Sequence, residues 1–230
     1  MLEPYSHEVF RNFATSIESQ NLMDDLVSDP AIVNRLTPLH YKSSASPSPV
    51  ERVLNKSERQ IIQDEIDAKF QPSHWYESRY SDGSWSVIYS AESEETALRE
   101  VLFHLHEFYR EELQDNPITV ERRVVTLKIK TDQALDLTIK SDLDAQKLTS
   151  KDKSGYGYCQ KIAKAARENG ASLLRTPSAR HTDGICIPIF EKNVIQEDRG
   201  HLKHLKCTLR KEGDTKVVGV QYAEPVIISG

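Results

Sequence analysis

Three stretches of this sequence combine residue types that can do chemistry. The first runs from Arg79-Tyr80 through Ser81-Asp82-Gly83, a turn signal, to a strand bearing Tyr89 and a helix carrying Glu100. The second is Thr176-Pro177-Ser178-Ala179-Arg180-His181, a proline-set turn with a hydroxyl and a guanidinium. The third is Phe10-Arg11 near the start. A guanidinium fork matches phosphate oxygens. A fixed carboxylate stabilises developing positive charge. A tyrosine offers an aromatic face and a hydroxyl. Each residue also has a plain structural reading. Glu100 could be a solvated helix acid, Tyr89 after Val87-Ile88 a core tyrosine, and Ser178 a turn former. Arg79 and Arg11 could be surface residues, and Arg180 could pair with an acid as readily as with phosphate.

Other chemistries have less support. No Ser-His-Asp spacing makes Ser178 a nucleophile. His104 and His106 stand two apart on one expected helix, so they face different sides. His201 and His204 share a face within a basic stretch ending at Lys206, which reads as solvated surface rather than as a metal ligand set. Cys159, Cys186 and Cys207 are scattered and form no CxxC pair, as expected of a reducing cytosol. Tyr156-Gly157-Tyr158 lacks the glycines of a phosphate loop, and Arg122-Arg123 is too short for a nucleic-acid footprint.

The elements that must position these residues follow from periodicity. A strand is expected near Val9–Phe13, followed by a short helix, and the Ser/Pro-rich segment 43–49 reads as a loop. Residues 50–70 pattern as an amphipathic helix with a break near Lys56-Ser57. Residues 86–90 form a short strand. Ser93 then caps a helix to about Arg110, with Glu94 and Glu95 in its first turn. Val125–Ile129 alternates as a strand, with a second expected at 134–138. A helix around Tyr158–Ala166 stops at Asn169-Gly170. Strands are expected at 172–175, broken by Thr176-Pro177-Ser178, at 185–189 with Pro188 implying an edge or bulge, and at 217–222. Helices and strands mix without regular βαβ alternation, which is the α+β class.

Composition bounds the rest. The chain has 230 residues, 38% hydrophobic and 28% charged, with net charge −5. That is ordinary for a soluble domain and gives no global pull toward nucleic acid or anionic membrane. No apolar run reaches membrane-helix length, and the start does not read as a signal peptide, so a cytoplasmic protein is expected.

The blocks SRYSDGSWSVIYSAESEETALREVLFH and RTPSARHTDGICIPIF resemble, in that order, the two core blocks of RES-domain proteins. The family pattern is an Arg-aromatic pair, a turn, a Tyr-bearing strand, a helix with ETAL-x-E, and later a Pro-Ser-x-Arg turn running into a strand. The resemblance implies Glu100, Arg79 and Ser178 as catalytic residues, and Arg11, Tyr89, Arg180 and Tyr80 as substrate-binding residues. It implies an ADP-ribosyltransferase-like α+β fold with a mixed, split β-sheet flanked by helices. Residues 1–70 would be the N-terminal part of the domain with a helical extension, and 71–230 its core, in one compact domain.

RES proteins of known activity are bacterial toxins that degrade NAD⁺ as phosphorylases. The resemblance therefore implies NAD⁺ as substrate, phosphate as co-substrate, and no separate cofactor or metal. It implies an antitoxin partner with a helix-turn-helix DNA-binding region, as a toxin–antitoxin hetero-oligomer or beside a homo-oligomer, with no direct contact of this chain to nucleic acid. Transfer of ADP-ribose to water or protein, or ligand binding without turnover, are the alternatives. The chemistry fits the residue types. Breaking the nicotinamide–ribose bond builds positive charge on the ribose, as in glycoside hydrolysis, and a carboxylate favours that state over ground-state substrate.

Overall fold

Alternating burial sets the first strand. β1 (Glu3–Ala14) buries Tyr5, Val9, Arg11 and Phe13 and leaves Glu8 exposed. It is longer than the 9–13 strand expected. The structure is a computed structural model and describes residues 2–14, 58–110, 113, 116–139, 142–219 and 226–228. The short helix expected after β1, the 43–49 loop and the first part of the 50–70 helix lie outside those residues. Helix α1 (Glu58–Lys69) begins just past the expected break and buries Ile62 and Ile66.

The chain divides into two units. The first comprises Met1–Arg11, Lys69–Glu100 and Val125–His201; the second comprises Asn12–Ala68, Val101–Val124 and Leu202–Gly230. All the candidate residues belong to the first.

In the first unit, β2 (Glu77–Ser78) and β3 (Ser81–Asp82) pair with Ser78 opposite Ser81, so Arg79-Tyr80 is the hairpin turn itself. The Asp82-Gly83 signal marks the next turn, where Asp82 Oδ1 accepts from the Ser84 N–H at 2.9 Å. β4 (Ile88–Ala91) leads into α2 (Glu94–Phe108). Ser93 caps that helix as expected, its Oγ accepting from the Thr96 N–H at 3.1 Å. β5 (Ile118–Asp136) is one strand of 19 residues where two were expected. No Gly or Pro interrupts it, so the polar stretch 130–133 stays extended. After the short helix α3 (Ala145–Leu148), α4 (Tyr156–Glu168) precedes β6 (Leu173–Pro177) and β7 (Ile185–Ile189).

The strand order in this unit is β1-β4-β7-β6-β5. β5 and β6 run parallel, with Ala134 opposite Leu173, and the other neighbouring pairs are antiparallel. The mixed sheet of the α+β expectation is therefore present. Two details depart from it. β6 continues through Thr176 and Pro177, which pair with Cys186 and Ile185. Pro188 lies in an interior strand, paired with Tyr89 of β4. Pairing with β6 holds at Leu173↔Ile189 and Thr176↔Cys186 and lapses between them, where the missing proline N–H falls. Above the sheet, Tyr80, Trp85, Leu137, Leu148, Leu174 and Phe190 pack with Cys159, Ala163 and Ala166 of α4 in one buried cluster.

In the second unit, β9 (Thr215–Gly219) pairs antiparallel with β8 (Ile195–Leu209) and β10 (Val226–Ile228), with Cys207 opposite Val217. β8 was not expected. Its signal was the alternation of buried Leu205, Cys207 and Leu209 with Lys206 and Thr208, obscured by the basic residues around it. Residues 220–222 of the last expected strand lie outside the described residues. Among the described residues no helix is long and apolar enough to cross a membrane.

Candidate active site

Glu100 projects from the second turn of α2, and three donors meet at its Oε1. Ser178 Oγ donates at 2.5 Å, the Ala179 N–H at 3.1 Å and the Cys186 thiol at 3.5 Å. Ser178 Oγ in turn accepts the N–H groups of Arg180 at 3.1 Å and His181 at 3.0 Å. A hydroxyl has one proton and two acceptor positions, so Ser178 is saturated. It holds Glu100 and has no lone pair left for attack in this arrangement. Among the described residues no cation lies within ion-pair distance of Glu100, and no donor is assigned to its Oε2.

The loop that delivers Ser178 is closed on itself and fastened to α2. The Ser178 N–H donates to the Gly184 carbonyl at 2.7 Å, and the Gly184 N–H to the His181 carbonyl at 3.0 Å. His181 Nδ1 and Thr96 Oγ1 share a hydrogen bond of 2.8 Å, one turn before Glu100. Glycine is required at 184 because a Cβ there would stand 2.7 Å from Thr96 Oγ1 and 2.8 Å from His181 Cβ. Residues far apart in the sequence thus come together: the turn 178–184 and the start of α2 form one clamp around the carboxylate.

The two arginines of this region are turned toward backbone. Arg79 Nη1 donates to the Leu148 carbonyl at 3.0 Å and Nη2 to the Ser150 carbonyl at 2.6 Å. Its guanidinium stacks 5.1 Å over the Tyr156 ring. Arg180 Nη1 reaches the same Ser150 carbonyl at 3.5 Å. Gly155 permits this corner, since a Cβ would fall 2.2 Å from the Lys147 carbonyl. Burial raises the Tyr156 hydroxyl above its ordinary value, with Arg79 and Arg180 acting against that.

The remaining candidates form a second chain of contacts. Tyr80 is 2% exposed, and its hydroxyl shares a 2.8 Å bond with Thr176 Oγ1. Burial pushes that hydroxyl well above its ordinary value. The Tyr89 hydroxyl accepts the Tyr80 N–H at 2.9 Å and donates to Ser78 Oγ at 2.9 Å. Arg11 Nη1 donates to the Tyr89 carbonyl at 2.9 Å, tying β1 to β4. The structure therefore joins Glu100 to Ser178 directly and to Arg180 through the backbone N–H that Ser178 accepts, and Arg79 to Arg180 through Ser150. Tyr80, Tyr89 and Arg11 are linked to each other in the supporting hairpin and strands. The sequence reading missed Cys186, taken as one of three scattered cysteines, and Tyr156, taken as part of a failed phosphate loop. The one available signal for Cys186 was a polarisable residue among isoleucines, directly after the Ser178 turn.

No curated protein matches the chain. Among solved structures, one from the M. tuberculosis MbcT–MbcA toxin–antitoxin complex is similar at 16% identity and a TM-score of 0.47, over 87% of this chain and 84% of that one. The RES domain family's own model matches residues 49–209, which hold the hairpin turn, Glu100 and the Ser178 loop together. On that match, which spans well over half of its length, the chain belongs to the RES domain family.

Proposed function

We propose that this chain is a RES-type toxin that cleaves the nicotinamide–ribose bond of NAD⁺ and passes the ADP-ribosyl group to phosphate. One observation carries the reading: Glu100 is held by three neutral donors on one oxygen, with no cation beside it among the described residues. Neutral donors fix a carboxylate without cancelling its charge. That charge is then available to the ribose as it becomes oxocarbenium-like, a state with more positive charge than bound substrate. Nicotinamide leaves neutral, taking the bonding pair, and a phosphate oxygen forms the new bond to the anomeric carbon. The products are nicotinamide and ADP-ribose-1″-phosphate.

In this reading Oε2 of Glu100 faces the ribose. The acceptor phosphate and the pyrophosphate draw on Arg180, Arg79 and Arg11. For Arg79 that means exchanging a backbone carbonyl for a phosphate oxygen, since its fork already holds Leu148 and Ser150. The family implies a cytoplasmic setting and an antitoxin that covers the site and carries the DNA-binding part.

The test is product identification by mass after incubating purified chain with NAD⁺, with and without phosphate. Phosphorylated ADP-ribose that requires phosphate is the expected result. Free ADP-ribose at an unchanged rate in both buffers would make the chain a hydrolase. No product from folded protein would overturn the reading.

A further inference from the structure

We propose that Cys186 is a positioning residue for Glu100: its thiol is the third fixed donor that holds Oε1 and so presents Oε2 to the substrate. The inference rests on the proposed function for its kinetic consequence, but not for its geometry. Cys186 sits on β7 between two neighbours, opposite Ala91 of β4 and Thr176 of β6. An interior strand position of this kind leaves the side chain little freedom. From it the sulfur lies 3.5 Å from Glu100 Oε1, the same oxygen that takes Ser178 Oγ and the Ala179 N–H. The two other donors both come from the 178–184 turn. Cys186 is the only one of the three that comes from the sheet, so it ties the carboxylate to a strand paired on both sides.

The thiol must carry its proton to do this. Burial, and then the Glu100 charge, push it well above its ordinary value, so it stays a donor and is a poor nucleophile. Its role is therefore mechanical and electrostatic rather than covalent. Removing it leaves two donors and a small void beside the oxygen. The carboxylate then gains rotational freedom.

Two measurements test this. The first is the S–H stretching band of Cys186 in the infrared spectrum, assigned by its loss in Cys186→Ser. In the wild type it should lie at the lower frequency of a hydrogen-bonded thiol and move up in Glu100→Ala. A band in the same place in both proteins would overturn the proposal. The second is kinetics. Cys186→Ala should lower kcat about three- to tenfold, the scale of one lost hydrogen bond, with KM changed less than about twofold. Cys186→Ser should restore most of the lost rate. An unchanged kcat in Cys186→Ala, or a serine variant no better than alanine, would contradict it. If the alanine variant fails to fold, the infrared band decides. The band does not depend on turnover, so a wild type that fails to cleave NAD⁺ would sink the proposed function and leave the Cys186 contact to be judged separately.

Discussion

Two glutamates of the first unit stand eight positions apart and are treated in opposite ways. Glu92, just before α2, is gripped by Arg175: Nε reaches its Oε1 at 2.7 Å and Nη2 its Oε2 at 3.1 Å. The same guanidinium holds Asp136 at 2.9 Å, and Tyr5 adds a hydroxyl to Glu92 at 3.3 Å. Donation to Glu92 raises the Arg175 guanidinium above its ordinary value, against the opposing effect of burial. Both oxygens of Glu92 are therefore taken, and its charge is paired with a guanidinium that it shares with Asp136. Glu100 offers one oxygen to three neutral donors and meets no cation among the described residues. The first arrangement fastens β1, β5 and β6 to the start of α2. The second spends hydrogen bonds on orientation alone. A carboxylate positioned without a counter-ion costs stability, and such a group is retained where its charge is used.

Removing the paired glutamate should have the largest effect on stability. Glu92→Ala leaves Arg175 and Asp136 without their central partner, and should cost about 2 kcal/mol, below the figure for a fully buried pair because these side chains retain some solvent contact. Chemical denaturation would show this as a lower midpoint at unchanged slope, while turnover per folded molecule falls little. Gly184→Ala should act on the other arm of the comparison. Its Cβ meets Thr96 and His181, so about 1–2 kcal/mol of stability should go with it. Displacement of the Ser178 loop should also lower kcat about tenfold. Equal activity in this variant would separate the loop from Glu100. Arg175→Lys comes next. It keeps the charge but loses the bidentate fork, for about 1 kcal/mol by thermal or chemical unfolding, with no change in activity.

The smallest effect is one of pH. Burial would raise the Asp136 carboxyl, but hydrogen bonds from Thr138 and Arg175 outweigh it and hold the group below its ordinary 3.8. The folded form thus binds this proton more weakly than the unfolded chain. Its contribution to stability is whole above the unfolded pKa and fades as pH falls through the folded one. Unfolding titrations below about pH 4 should show a steeper loss in wild type than in Asp136→Asn.

The contrast between the two glutamates was only half legible in the sequence. Glu100 and Ser178 could be singled out because their flanks, ETALRE and PSAR, belong to one family pattern. Glu92 and Arg175 lie in the same two blocks and drew no attention, since which acid an arginine meets is decided by strand register. The same limit applies to Cys186, whose neighbour Glu100 is fixed by β7 lying between β4 and β6. Local signals did well where the physics is local. Ser93 capped α2, and the pattern of residues 58–69 gave a helix. They did less well where pairing overrides propensity. Pro188 was expected at an edge or bulge and lies inside the sheet, where the lapse in β6–β7 pairing accommodates it. The alternation in β8 was present but masked by lysines and histidines.

In the proposed reaction the charge of Glu100, and not that of Glu92, acts on the substrate. The most direct measurement is NAD⁺ consumption in phosphate by wild type, Glu100→Gln and Glu92→Gln side by side, at a temperature where unfolding curves show all three folded. Glutamine keeps the shape of the side chain and removes the charge. Turnover should fall about a hundred- to a thousandfold in Glu100→Gln, the scale of a removed transition-state electrostatic contact, and stay within a few-fold of wild type in Glu92→Gln. Comparable turnover in Glu100→Gln and wild type, or an equal loss in both variants, would contradict it.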